Sequence, residues 1–179
     1  MPLSEKQRGV FKGIIVGAVI TIVVIFGSIY FGPELLDPGA PAGERVAFAL
    51  AADLLLALWL GVSVGRLARH RFLSPEDIDG GGLTRGTEHA KVLQATLQNT
   101  LEQTVLAVLA HSIWIVTVPV SWAAAVPAAV CLFIVGRLLF VWGYGGGAPS
   151  RAIGFALTFY PSMLMLVISA LWLLRGVLI

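Results

Sequence analysis

The sequence carries little charge. Of its 179 residues, 12% are Asp, Glu, Lys or Arg and 58% are hydrophobic, whereas a water-soluble domain has about 25% charged residues. This composition excludes a disordered chain and an ordinary soluble enzyme. It predicts an all-α integral membrane protein, a bundle of helices embedded in the lipid bilayer.

Cysteine and clustered positive charge are also scarce. The one cysteine, Cys131, excludes an intrachain disulfide and a multi-cysteine metal site. Because it lies in an apolar run, we expect it to be a small buried hydrophobic side chain. No spacing of His, Cys and carboxylate residues indicates a metal, and no cluster of Lys and Arg is large enough for nucleic acid, which is therefore not an expected partner.

What the sequence does contain is a series of long apolar segments. The predicted helices span residues 13–31, 46–64, 87–118, 122–142 and 152–174. The first lacks both charge and a small-residue cleavage site, so we interpret it as a retained anchor. Gly9, Gly13 and Gly17 recur at four-residue spacing and would let another helix approach closely. The alternative is that the spacing only reflects how frequent glycine is in membrane helices.

The third predicted helix carries a polar stripe. Its apolar part, residues 105–118, is 14 residues long and is too short to span a bilayer, so the helix must extend back to about Thr87. Polar residues then share one face: Glu88, Lys91, Gln98, Asn99 and Glu102. This face must contact protein or water, because an uncompensated polar group in lipid costs several kcal/mol.

The distribution of positive residues predicts the orientation. Ten of the 12 Lys and Arg residues fall on or near one side of the five crossings, and only Arg45 and Arg175 fall on the other. The N-terminus is therefore expected in the cytoplasm and the C-terminus outside. Arg outnumbers Lys nine to three, a bias typical of bacteria with GC-rich genomes, so we expect a multi-pass protein of the bacterial cytoplasmic membrane.

Several charges lie inside predicted helices, where a charge at the helix centre costs about 2.5 to 3.5 kcal/mol. Two of them are Glu102 and Arg137, and a structural ion pair between them is one interpretation. A ligand site is the other, since several polar residues from four helices lie in the cytoplasmic half: Arg66, Asn99, Glu102, Arg137, Tyr144 and Arg151. Guanidinium groups with a carboxylate, an amide and a phenol suit a small zwitterionic ligand.

Four motifs occur in a fixed order along the chain. They are V-G-R-L-A-R-H-R-F-L-S-P-E-D (64–77), Q-N-T-L-E-Q (98–103), V-G-R-L-L-F-V-W-G-Y (135–144) and A-P-S-R (148–151), with Pro161 ten residues on. This set resembles the MAPEG family, the membrane-associated proteins of eicosanoid and glutathione metabolism. The resemblance implies a four-helix MAPEG-like membrane domain in residues 46–179, preceded in residues 1–45 by one additional N-terminal transmembrane helix and its loop.

The resemblance also implies a homotrimer that holds glutathione between neighbouring subunits near the cytoplasmic face, with a lipophilic second substrate arriving from the bilayer. The positions that match the glutathione site are Arg66, Asn99, Glu102, Arg137 and Tyr144. Gln98, which differs from the family residue, is a further candidate for binding glutathione. Arg151 matches an arginine thought to stabilise the thiolate, and Asp77 matches an acidic position proposed to assist catalysis. A nearby cation lowers the pKa of a thiol from about 8.5.

The sequence departs from the family pattern around these positions. Gln98 and Ala95 stand where relatives carry arginine, Ala152 stands in place of a serine, Phe155 in place of a tyrosine and Phe140 in place of a histidine. These changes disfavour a prostaglandin synthase and favour a bacterial-type member of the family with another substrate.

Three functions remain open. The first is a glutathione-dependent transferase or peroxidase that acts on lipophilic electrophiles, with Arg151 activating the thiol. The second, favoured by the missing arginines, is a non-catalytic lipid-binding or scaffold protein. The third is a small transporter with Asp53 or Glu102 as a proton site. His111 is expected to make a hydrogen bond in helix packing, and His70 is expected to be solvated.

Overall fold

The computed structural model describes the backbone of residues 2–178 and the side chains of residues 2–176. Within this range the chain is helical and contains no strand. Its helices are α1 (Glu5–Phe31), α2 (Ala42–Ala52), α3 (Leu54–Leu73), α4 (Glu88–Thr117), α5 (Ala125–Trp142) and α6 (Ala148–Leu178). Short 3-10 turns at Val120–Trp122 and Tyr144–Gly146 precede α5 and α6.

Five segments of this part of the chain are long and apolar enough to cross a membrane. They are Glu5–Phe31, Ala42–Leu73, Glu88–Thr117, Val120–Trp142 and Ala148–Gly176. The helices α2 and α3 form one span, since Asp53 alone separates them and keeps α-helical backbone angles. The predicted all-α membrane bundle is confirmed.

Two helices begin at capping residues rather than at the edges of the apolar runs. Helix α1 begins eight residues before its predicted start because Ser4 and Gln7 form a capping box, in which each side chain accepts a hydrogen bond from the other's backbone N–H. Helix α4 begins after Thr87, as predicted, and the Thr87 hydroxyl accepts from the N–H of Ala90. Helices α1, α4 and α6 begin, and α3 and α5 end, at the same end of the bundle. Most of the Lys and Arg residues fall at or near this end, which we call the basic end.

The glycine stripe of α1 packs directly on α6. A Cβ atom at Gly9 would lie 2.8 Å from the Cβ of Pro149, and one at Gly13 would lie 2.8 Å from the Cβ of Ala152. At Gly17, which is buried, a Cβ would overlap Ala156 still more closely. The absence of these side chains allows the two backbones to approach, as the spacing in the sequence predicts.

We expect Gly17→Ala to lower the melting temperature of the detergent-solubilised protein, because the added methyl group must push α1 away from α6. Overpacking of this kind typically costs about 1 to 3 kcal/mol. Gly27→Ala is the matched control, since a Cβ at Gly27 of the same helix meets nothing within 4 Å. Thermal unfolding that is equal for the two variants would contradict this packing.

A polar pair is buried toward the other end of the bundle. Nδ1 of His111 on α4 lies 2.6 Å from Oδ1 of Asp53, and both side chains are buried. This contact ties α4 to the junction of α2 and α3 and confirms the packing role expected for His111. The expectation for Cys131 is wrong, because its side chain is exposed on the surface of α5. In a membrane protein an apolar run indicates contact with lipid as readily as burial in the core.

Candidate functional site

The centre of the site is an arginine that is fully buried among three helices. Arg137 on α5 has no exposed surface. Its Nη1 donates to Oδ1 of Asn99 on α4 at 2.8 Å, and its Nη2 donates to Oγ1 of Thr158 on α6 at 2.7 Å. Gly136 makes the second contact feasible, because a Cβ there would lie 2.8 Å from Cγ2 of Thr158 and would force α5 and α6 apart.

The sequence-based ion pair between Glu102 and Arg137 is wrong for this chain. Glu102 is exposed on α4 and accepts a hydrogen bond of 3.0 Å from Nε2 of Gln98. Successive residues of a helix are rotated by about 100°, so Asn99 points toward α5 while its neighbour Gln98 points away. The amide of Asn99 therefore takes the place that the prediction gave to the carboxylate.

Aromatic rings connect Arg137 to a second arginine. The guanidinium carbon of Arg137 lies 4.6 Å from the ring centroid of Phe140, and that of Arg151 lies 4.4 Å from the ring centroid of Tyr144. The rings of Phe140 and Tyr144 are in edge contact, with 5.6 Å between centroids. Both cation-to-ring distances are within the range of about 6 Å at which a cation is attracted to a ring face. The four side chains therefore form one series of contacts, which we call the stack.

A tight turn holds this stack in place. The hydroxyl of Ser150 donates to the carbonyl oxygens of Gly143 at 2.6 Å and Gly147 at 2.9 Å. Gly147 has a φ of +85°, a conformation that side chains with a Cβ rarely adopt. The glycines thus allow Tyr144, just past the end of α5, to fold over Arg151 in the first turn of α6.

The stack borders a cavity of about 440 Å³ near the basic end of the bundle. Its polar lining consists of Asn99, Tyr144, Arg151 and Tyr160, and its apolar lining includes Phe140, Ala152, Phe155 and Phe159 from the core and Val10 and Ile14 from α1. Four of the positions at which the sequence departs from the family pattern line this cavity: Ala95, Phe140, Ala152 and Phe155. These departures therefore make this one cavity more apolar.

The structure gathers only part of the predicted set. Asn99, Tyr144 and Arg151 line the cavity, and Arg137 lies behind Asn99. Arg66 is exposed on α3 and lines neither this cavity nor the separate cavity beside Gln98. Gln98 borders a separate cavity of about 620 Å³, which also includes Arg71, Arg85, Lys91 and Asp77.

Asp77 forms a hydrogen-bonded lock in the loop between α3 and α4. Its carboxylate accepts from the backbone N–H and the hydroxyl of Thr87, each at 2.7 Å, and lies 2.8 Å from Nε2 of His70. The hydroxyl of Thr87 is the main cause that holds the pKa of Asp77 below its ordinary value. The expectation that His70 is solvated is wrong, since its side chain is 19% exposed.

This lock predicts a pH-dependent stability. A carboxyl whose pKa is lowered by folding contributes stability above its ordinary pKa of about 3.9, and this contribution is lost as the pH falls through the folded value. Asp77→Asn should therefore lower the melting temperature at neutral pH, and its difference from wild type should shrink as the pH falls below about 4. If Asp77→Asn lowers the melting temperature equally at neutral pH and below about pH 4, this role of the charge is contradicted.

Comparison with known proteins identifies the family. The sequence model of the MAPEG family matches residues 46–171, which is more than half of the chain. The chain belongs to the MAPEG family. MAPEG membership places it among membrane proteins of eicosanoid and glutathione metabolism, and together with the five candidate spans it supports a multi-pass membrane protein.

The MAPEG match begins after α1, so the N-terminal helix lies outside the matched residues. A curated relative, the uncharacterized protein sll1147 of Synechocystis sp., is 34% identical over 134 residues, which cover 72% of this chain and 90% of the relative. No solved structure matches the chain significantly. Within the described residues no three His, Cys, Asp or Glu side chains gather in a way that could hold a metal ion.

Proposed function

We propose that this MAPEG protein is a glutathione-dependent transferase or peroxidase that acts on lipophilic electrophiles. One observation carries the proposal: a single cavity combines the guanidinium of Arg151, the phenol of Tyr144 and the amide of Asn99 with largely apolar walls. Polar groups suited to a charged tripeptide thus lie beside a surface suited to an apolar molecule.

Arg151 is the residue we assign to the thiol. A cation beside the sulfur of glutathione lowers the thiol pKa and increases the thiolate fraction at neutral pH. The thiolate attacks an electrophilic carbon, so that a C–S bond forms while the bond to the leaving group breaks. The leaving group departs with its electron pair, and the thiol proton passes to solvent.

Arg137 has a positioning role in this mechanism. Because Oδ1 of Asn99 accepts from Arg137, the amide nitrogen of Asn99 is the group left to donate, and it would donate to a carboxylate of glutathione. The same contact fixes the side chain of Asn99 between α4 and α5. Asn99 would thus bind the ligand, and Arg137 would act only through Asn99.

The remaining predicted residues fit a site shared between subunits. Gln98 and Glu102 bond to each other on an exposed face of α4, and Arg66 is exposed on α3. A homotrimer would bring this face against the cavity of a neighbouring subunit and would complete the glutathione site there. Asp77, locked to Thr87, would support the loop beside Gln98 rather than touch the substrate.

The same proposal includes the placement in the cell. We infer a protein of the bacterial cytoplasmic membrane with its basic end, and hence its N-terminus, in the cytoplasm and its C-terminus outside. In that orientation the cavity would lie at the cytoplasmic end of the bundle, where glutathione is available. We also infer that residues 46–179 form the MAPEG domain and that residues 1–45 are an addition to it.

A non-catalytic lipid-binding protein is the second candidate, favoured by the apolar walls at Phe140, Ala152 and Phe155. Measuring glutathione binding and the conjugation of a small aromatic electrophile by the solubilised protein separates the two. The transferase should bind glutathione at millimolar concentration and turn over. Absence of binding at that concentration would overturn the transferase proposal, and copurified lipid without thiol chemistry would favour the second candidate.

A further inference from the structure

The N-terminal helix contributes directly to the candidate site. Val10 and Ile14 of α1 line the cavity that contains Arg151, and both are half-buried. Their neighbours Phe11 and Ile15 are 54% and 46% exposed, so one face of α1 is turned toward the cavity and the other toward the surroundings. The contact of Gly13 with Ala152, the residue after Arg151, sets this position.

A second, smaller cavity continues along the same two helices. It has a volume of about 240 Å³ and is bounded by Ala18, Thr21 and Ile22 on α1 and by Tyr160, Met163, Leu164 and Val167 on α6. Tyr160 lines both cavities. The two spaces therefore adjoin at Tyr160. Together they form a track that follows α6 from Arg151 to Val167, a length of about 24 Å at 1.5 Å per residue.

The chemistry of this track changes along its length. Near Arg151 it offers a cation, a phenol and an amide, whereas beyond Tyr160 its lining is almost entirely apolar. The stacked rings of Phe155 and Phe159, with 5.5 Å between centroids, lie between these two regions on α6. A ligand that fits the whole track is polar at one end and has an extended apolar chain at the other.

We propose that α1 and α6 together form the second-substrate subsite, a track for an extended apolar chain that runs from the thiol at Arg151 past Tyr160. The proposal rests on the proposed transferase function and adds the substrate class, electrophiles with a linear apolar chain. Since α1 lies outside the residues matched by the family model, the N-terminal addition supplies one wall of this subsite, and α6 supplies the other. Ile14 borders the near part of the track, and Ala18 borders the far part.

S-alkyl glutathione conjugates of increasing chain length test the track in liposomes. Ala18→Phe fills the far cavity and should weaken binding of S-decylglutathione at least tenfold while S-methylglutathione binds as to wild type. Ile14→Trp should weaken S-hexylglutathione as well as the decyl conjugate. Val19→Trp is the matched control, since Val19 is 54% exposed on the same helix, and it should change neither affinity.

The outcomes separate the two proposals. Retained binding of S-methylglutathione shows that Ala18→Phe and Val19→Trp are folded, and comparing variants with wild type cancels the partition of the alkyl chain into lipid. If wild type binds S-methylglutathione but Ala18→Phe loses no affinity for the decyl conjugate, or loses as much as Val19→Trp, the track is wrong and the transferase proposal stands. If wild type binds neither glutathione nor S-methylglutathione at millimolar concentration, both proposals fall.

Discussion

Replacing Arg151 with alanine is expected to lower the rate of glutathione conjugation by about 10- to 30-fold at neutral pH. A thiol with a pKa of about 8.5 is only about 3% ionised at pH 7, so lowering its pKa can raise the thiolate fraction by at most about 30-fold. Without the guanidinium, the bound thiol should titrate nearer to its ordinary pKa of about 8.5. The loss should therefore be largest at neutral pH and should diminish as the pH rises.

Steady-state kcat/KM across pH, with a small aromatic electrophile, measures this effect. Arg151→Lys should retain part of the rate, because it keeps the charge but loses the planar guanidinium that lies over the ring of Tyr144. Arg175→Ala is the matched control, since Arg175 also stacks on a ring of α6, 5.6 Å from the centroid of Trp172, but lies at the far end. Equal rates for wild type and Arg151→Ala would contradict the assigned role.

Replacing Arg137 with methionine is expected to destabilise the folded protein by about 3 kcal/mol or more. Methionine occupies much of the same volume, but the hydrogen bonds to Asn99 and Thr158 are lost, and a hydrogen bond to a charged group contributes about 1.5 to 3 kcal/mol. The half-buried amide of Asn99 and the buried hydroxyl of Thr158 would each lose this partner, and the hydroxyl would keep only its hydrogen bond to the carbonyl oxygen of Phe155. Glutathione affinity should fall at the same time, because Asn99 would no longer be held in one orientation.

Unfolding in denaturant and glutathione titration of the same variant check both parts of this prediction. Arg8→Met serves as the control for stability, because Arg8 is exposed on α1 and surface substitutions usually change stability by no more than about 0.5 kcal/mol. Wild-type stability together with wild-type affinity in the Arg137 variant would show that Arg137 does not hold α4, α5 and α6 together.

The sequence predicts where the helices of this fold lie along the chain. It predicts less well which side chains of each helix are buried against other helices. Hydropathy locates the spans, and the polar stripe of α4 correctly requires the helix to extend back to Thr87. Burial cannot be predicted from hydropathy in the same way, because contact with lipid and burial in a protein core favour the same side chains. For this reason the prediction that Cys131 is buried was wrong, and its side chain is exposed.

The site shows the corresponding limit for polar residues. Helical spacing places Gln98, Asn99 and Glu102 on one broad side of α4, but only the packing of α5 and α6 decides that Asn99 receives Arg137. The glycines at 9, 13 and 17 did indicate a close helix contact. Nothing in their spacing identified α6 as the partner or placed Val10 and Ile14 beside Arg151.

The most direct test is the pKa of glutathione bound to the purified protein, measured from the ultraviolet absorbance of the thiolate as the pH is varied. Wild type should give a pKa clearly below about 8.5, and Arg151→Ala, at saturating glutathione, should return it to about that value. A bound thiol with the same pKa in both proteins, or no bound glutathione at millimolar concentration in wild type, would contradict the assignment of this cavity to thiol activation.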